Sequence, residues 1–162
     1  MTIEMMSASL TLLFSELVDG PRLDAAYMLN AGDAGLLRSL EALPASAASQ
    51  RPASGGASIA AHVDHLAFGL ELMNRWAAGE RDPWTGADWA ASWRRTSVTE
   101  SEWTALRARL REAAGQYRDA LGHLRDVTLA ELNSVVGTVA HLAYHLGAIR
   151  QMDRSIRGPL AQ

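Results

Sequence analysis

Apolar residues recur at spacings of three and four along four stretches of this chain. The first places Leu10, Leu13, Phe14 and Leu17 on one face and predicts a helix over about Thr2 to Val18, stopped by Gly20-Pro21. The second opens at Ser58, a preferred N-cap residue, and carries Ile59, Val63, Leu66, Leu70 and Met73 to about Ala78, before Gly79. The third starts on Thr99-x-x-Glu102, where hydroxyl and carboxylate serve each other's backbone N–H groups. Trp103, Leu106, Leu110, Ala113, Tyr117, Ala120 and Leu124 follow, with Trp103, Leu106, Leu110, Tyr117 and Leu124 expected to face inward. The fourth starts on a second such box, Thr128-x-x-Glu131, and runs to about Ile156, before Gly158-Pro159. Four amphipathic helices bury their stripes by packing on one another. The pattern predicts an all-α four-helix bundle.

The remaining segments are less periodic. Over residues 21–43, Asn30 or Asp33 can cap a segment carrying Leu36, Leu37, Leu40 and Leu43. Residues 44–57 are small and rich in breakers, and predict a loop. Residues 79–98 form a long connection with one short helix expected around Trp89 to Arg94. A connection of that length inside a domain is usually functional or covers something.

Composition narrows the chemistry. With 162 residues the chain fits one domain, read here as residues 1–162. A formal charge of −3 argues against a nucleic-acid partner and against a basic membrane-surface protein. All fifteen basic residues are Arg, which excludes a lysine Schiff base and a P-loop lysine. There is no Cys, so thiolate nucleophiles, thiolate metal sites and disulfides are excluded, and a transition metal must use His, Asp or Glu. The start carries Glu4 and no basic region, unlike a signal peptide. Residues 132–149 lack acidic and basic side chains, but they include Asn133, Ser134, Thr138, His141 and His145. They read as a helix buried in protein rather than in lipid. A soluble cytoplasmic protein is expected.

The candidate chemistry sits in two histidine pairs. The fourth predicted helix contains HLAYH, with His141 and His145 four apart. At about 100° and about 1.5 Å per residue, both rings leave one face a turn apart. This is the spacing with which a helix chelates one metal through two imidazoles. The second predicted helix contains HVDH, so His62 and His65 also share a face, and either can supply a third imidazole. Small residues flank the histidines on both helices: Ser58 and Gly69 on the second, Ser134, Gly137, Thr138 and Ala148 on the fourth. They leave room for a pocket, or equally permit close helix packing. Tyr144, Arg150 and Arg154 lie on or near the fourth helix, where they can bind an anion or serve as core and solvated residues. His123 reads as a surface residue. The five Trp, at 76, 84, 89, 93 and 103, read as core or interface filler, or as the lining of a ligand pocket. Asp64 and Glu71 fall on other faces and receive no role.

SIAAHVDHL on the second predicted helix, with VAHLAYHLGAIRQM on the fourth, resembles the DinB-like (YfiT-like) superfamily. The resemblance in layout covers nearly the whole chain. It implies a four-helix bundle with a long crossover between the second and third helices. It also implies a divalent metal held by one His of the second helix and two of the fourth. Carried onto this chain, the ligands are His65, His141 and His145, with His62 as the reserve ligand. Imidazole chemistry admits zinc, nickel or iron. Some members of the family are transferases or isomerases that use a small cytosolic thiol, and members often dimerise.

Two function classes follow. One is a metal-dependent transferase or hydrolase that activates a low-molecular-weight thiol or water toward a small electrophilic substrate. With no Cys in the chain, any thiol must come from a small molecule. The other is a non-catalytic metal- or small-ligand-binding stress-related bundle protein. A homodimer is expected, since the Trp-rich connection can cover a partner and Phe68 and Leu72 lie off the apolar stripe.

Overall fold

Each long helix begins at a hydroxyl. The side chains of Thr2, Ser58, Thr99 and Thr128 accept the backbone N–H groups of Met5, Ala61, Glu102 and Glu131, satisfying donors that a helix start leaves without partners. At Thr99 and Thr128 the glutamates return the bond, so both expected capping boxes form. The resulting helices are α1 (Ile3–Asp19), α2 (Gly35–Glu41), α3 (Ala45–Ser49), α4 (Ile59–Ala77), α5 (Glu100–Gly122) and α6 (Leu129–Met152). Short 3-10 turns form at Ser92–Arg94 and Arg154–Ile156. This computed structural model describes residues 2–22, 26–53, 55–125 and 127–160, and among them there is no strand.

Three segments differ from the sequence expectation. The loop expected over 44–57 contains α3. Pro44 stands at its N-cap, where a missing N–H costs nothing, and the Glu100 carboxylate accepts the Ala45 N–H at 2.9 Å. The connection to α5 holds a 3-10 turn rather than a helix from Trp89. The fourth expected helix ends at Met152, because Asp153 leaves the helical region and its side chain caps the 3-10 turn that follows. Neither candidate cap is the N-cap residue of α2, which is Ala34; Asp33 stands one position before it, where its Oδ1 accepts the Gly35 N–H at 2.8 Å. Here α1 and α2 meet backbone to backbone. A Cβ on Gly20 would lie 2.2 Å from the Asp33 carbonyl oxygen, and one on Gly35 would lie 2.3 Å from the Gly20 nitrogen. Both glycines have positive φ, at 93° and 67°.

α4 packs on α5 and α6, and α1 packs on the same two helices from the other side. Phe14 of α1 meets Tyr117 of α5 edge to face, at a centroid distance of 5.2 Å. Trp103 is fully buried and donates its indole N–H to the Leu43 carbonyl at 2.8 Å. Leu106, Leu110 and Tyr117 are buried as expected and Leu124 is partly so. Leu72 is not a free apolar residue: it is buried within the chain, and Phe68 packs against Trp89.

Candidate metal centre

Two adjacent helices bring the histidines together. α4 presents His62 and His65, and α6 presents His141 and His145. One nitrogen from each of His65, His141 and His145 lies within 4.8 Å of the other two. The Nε2 atom of His141 stands 2.9 Å from Nε2 of His145 and 3.2 Å from Nε2 of His65. His65 and His145 are buried and His141 is half-buried. Burial holds all three imidazoles below their ordinary pKa; His65 is pushed down to about 4 and His145 to about 3, with neighbouring histidines adding to the effect. They are therefore neutral at pH 7, as metal ligands must be.

The donor set fits a metal. His141 Nε2 takes part in both close contacts, and a single ring hydrogen serves two acceptors poorly. A cation satisfies all three lone pairs at once. Zinc–nitrogen bonds of about 2.0–2.1 Å set tetrahedral ligand nitrogens roughly 3.3 Å apart, close to the spacing seen here. No carboxylate oxygen joins the cluster among the described residues.

His62, expected as the reserve ligand, stands beside the three-nitrogen cluster and contacts one of its members. Its Nδ1 lies 2.8 Å from Nδ1 of His145, on the side of that ring away from the cluster. With Nε2 of His145 serving an ion, its Nδ1 would carry the hydrogen and donate to His62 Nδ1. Such outer partners fix the tautomer and the orientation of a metal-binding ring.

The Trp-rich connection covers the cluster. Trp93 lies against His65 with centroids 4.4 Å apart and an interplanar angle of 30°, and also approaches His62 and His145. Trp89 stands 5.7 Å from His65. Just beyond, Arg95 donates through Nε to Asp64 Oδ2 at 2.7 Å. Arg109 of α5 donates to Asp64 Oδ1 at 2.6 Å and to both oxygens of Glu71 at 2.6 Å. Asp64 thus turns away from its neighbour His65 and ties the connection to α4 and α5. Sequence spacing carried no signal for this network, whose partners lie 31, 38 and 45 residues apart.

The residues proposed to attract an anion do not assemble. Arg150 is committed to Asp33 through two bonds of 2.9 and 2.6 Å. Tyr144 is exposed, with its ring edge-on to His145, and Arg154 is exposed on its 3-10 turn. His123 is exposed, as expected, and contacts the Asp119 carbonyl.

The molecule is thus an all-helical protein with a three-histidine cluster that could hold a metal ion between two of its long helices. The family model of the DinB superfamily matches residues 28–149, a span from before α2 to near the end of α6 that includes both histidine pairs, and the chain belongs to that superfamily. No curated protein and no solved structure matches the chain. Among the described residues, no helix is long and apolar enough to cross a membrane.

Proposed function

We propose that His65, His141 and His145 hold one divalent ion, zinc, nickel or iron. In this reading the protein is a metal-dependent enzyme that transfers a low-molecular-weight thiol to, or hydrolyses, a small electrophilic substrate. The supporting observation is the meeting of three neutral imidazole nitrogens from two helices beneath Trp89 and Trp93. A divalent ion there supplies Lewis-acid activation of a thiol or water and polarises the substrate. The chain supplies the rest. α4 and α6 fix the nitrogens, and three protein ligands leave positions open for small molecules. Trp89 and Trp93 screen one side from water.

The test is elemental analysis of untagged protein, then conjugation and hydrolysis assays on the zinc, nickel and iron forms with several cytosolic thiols. Turnover that requires the ion supports the reading. A protein that carries no ion and no metal form of which turns over overturns it. One observation favours the alternative, a non-catalytic metal- or small-ligand-binding protein: among the described residues no carboxylate stands at the cluster to move a proton, and Asp64 is paired with Arg95 and Arg109.

In the same reading His62 positions His145. His62→Ala is expected to weaken zinc binding 10–100-fold, as loss of such a partner generally does. His62→Gln keeps a hydrogen-bond acceptor and should recover part of the loss. Competition against a chromophoric chelator measures both; an affinity equal to that of the parent would leave His62 a packing residue.

The reading also takes residues 1–162 as one cytoplasmic domain. The four long helices α1, α4, α5 and α6 form a four-helix bundle with the connection from α4 to α5 as its crossover. Their pairing in a ring supports this. A homodimer is proposed from the outer face of α6, where Leu129, Val136 and Tyr144 are exposed. Sedimentation at micromolar concentration is expected to give twice the 17.5 kDa chain mass; a monomer would end that proposal.

A further inference from the structure

Beside His141, α4 and α6 part to leave a cleft of about 240 Å³. Trp84 and Trp89 line it together with aliphatic side chains of both helices. The room comes from two glycines inside helices, Gly69 on α4 and Gly137 on α6. A Cβ on Gly137 would meet nothing within 4 Å, and one on Gly69 would meet only the edge of Trp89, at 3.8 Å. Close packing therefore does not require glycine at either position. Glycine weakens a helix interior relative to alanine. What it supplies here is space.

The lining also defines what can fill that space. Among the described residues, no Asp, Glu or Arg side chain borders the cleft. Its two hydroxyls are engaged: Ser134 donates to the Ala130 carbonyl at 3.1 Å and Thr138 to the Ser134 carbonyl at 2.8 Å. Both hydrogens are spent within the helix, so these groups offer lone pairs only. With no ion on His141, which also borders the cleft, a carboxylate or phosphate entering here would give up its water and find no cation among the lining residues, whereas an alkyl or aromatic group gives up little. The volume lies below the range of drug-sized sites and suits one ring or a short branched chain.

We propose that this cleft binds the uncharged, apolar part of the substrate, a single aromatic ring or short alkyl group, whose reactive head lies at His65, His141 and His145. The position of the head rests on the metal-centre reading; the choice of an uncharged tail over an anion does not.

Benzyl alcohol and benzoate carry the same ring and differ in charge, so they separate the two outcomes. Each is titrated into the protein as purified and after chelation, following the indole N–H signals by NMR, with Trp84→Phe and Trp89→Phe for assignment. Benzyl alcohol is expected to shift the Trp84 and Trp89 signals and leave that of Trp103 unmoved. In chelated protein benzoate should bind at least tenfold more weakly. Gly137→Leu fills the cleft and should weaken benzyl alcohol at least tenfold while binding zinc as the parent does; Gly69→Val repeats the test from α4. Equal binding of benzoate to chelated protein, no response at Trp84 and Trp89, or unchanged affinity in both glycine variants would overturn the proposal. Failure of the parent to bind zinc would instead end the metal-centre reading and leave the result in chelated protein standing.

Discussion

Replacing His141 or His145 with alanine should lower zinc affinity by roughly a hundredfold or more, a larger loss than removing an outer partner causes. Each change deletes one of three neutral donors from a cluster that contains no carboxylate to take its place among the described residues. His65→Ala should do the same. The loss is expected to show in chelator competition while the helical circular-dichroism signal persists, because α6 keeps its capping box and its core face of Val135, Val139, Leu142 and Leu146. Zinc bound as tightly by the His141 and His145 variants as by the parent would remove the site. The pH dependence has a definite sign. In the unfolded chain these imidazoles take a proton near pH 6.5, whereas in the folded protein His65 does so only near 4 and His145 near 3. The unfolded state therefore binds more protons between those limits. Metal-free stability should be full above about pH 6.5 and decline as pH falls toward 3. Denaturation midpoints across that range should show a shallower decline in His145→Ala.

The second large effect is expected outside the histidine cluster, at a buried ion pair. Asp33→Ala should destabilise the fold by about 3–5 kcal/mol, the usual result of stranding one partner of a buried ion pair. Asp33 is only 3 % exposed and holds three groups: two guanidinium nitrogens of Arg150 on α6 and the Gly35 N–H that opens α2. The tail packs on the same carboxylate, since a Cβ on Gly158 would lie 2.0 Å from Asp33 Oδ2. Removing Asp33 strands the Arg150 charge in the interior. A double variant with Arg150→Met should recover part of the loss, because an apolar pair avoids that stranded charge. Urea denaturation measures both; a loss below about 1 kcal/mol in the single variant would mean that water reaches Arg150.

The four long helices were legible because each carries an apolar stripe, and three of them also open on a hydroxyl cap readable from the sequence, at Ser58, Thr99 and Thr128. Thr99-x-x-Glu102 and Thr128-x-x-Glu131 marked their starts to the residue. The short elements were not legible. α3 has five residues and no stripe, and it owes its start to a carboxylate 55 residues away on Glu100. The histidines of α6 were visible as a pair because helical spacing alone sets them on one face. The part played by His62 was not, since HVDH gives two rings one face of a helix and says nothing of which nitrogen meets which. The role of Arg150 stayed open in the sequence for a related reason: its buried partner, Asp33, lies 117 residues earlier.

Asp64 has two cationic partners, and they sit on different parts of the protein. Arg95 belongs to the covering connection and Arg109 to a long helix. A buried acid with one partner acts as a latch that resists release, because opening leaves its charge uncompensated. Asp64 escapes that constraint. If Arg95 lets go, Arg109 stays in place, so lifting the cover would break one half-exposed ion pair and the contacts of Trp89 and Trp93 with Phe68 and the histidines without leaving Asp64 unpaired. On the proposed enzyme reading, the barrier to admitting a small molecule would thereby be separated from the stability of the helices that hold the histidines. In the proposed enzyme, turnover rate and melting temperature would then be adjustable separately, the first at Arg95 and the second at Arg109.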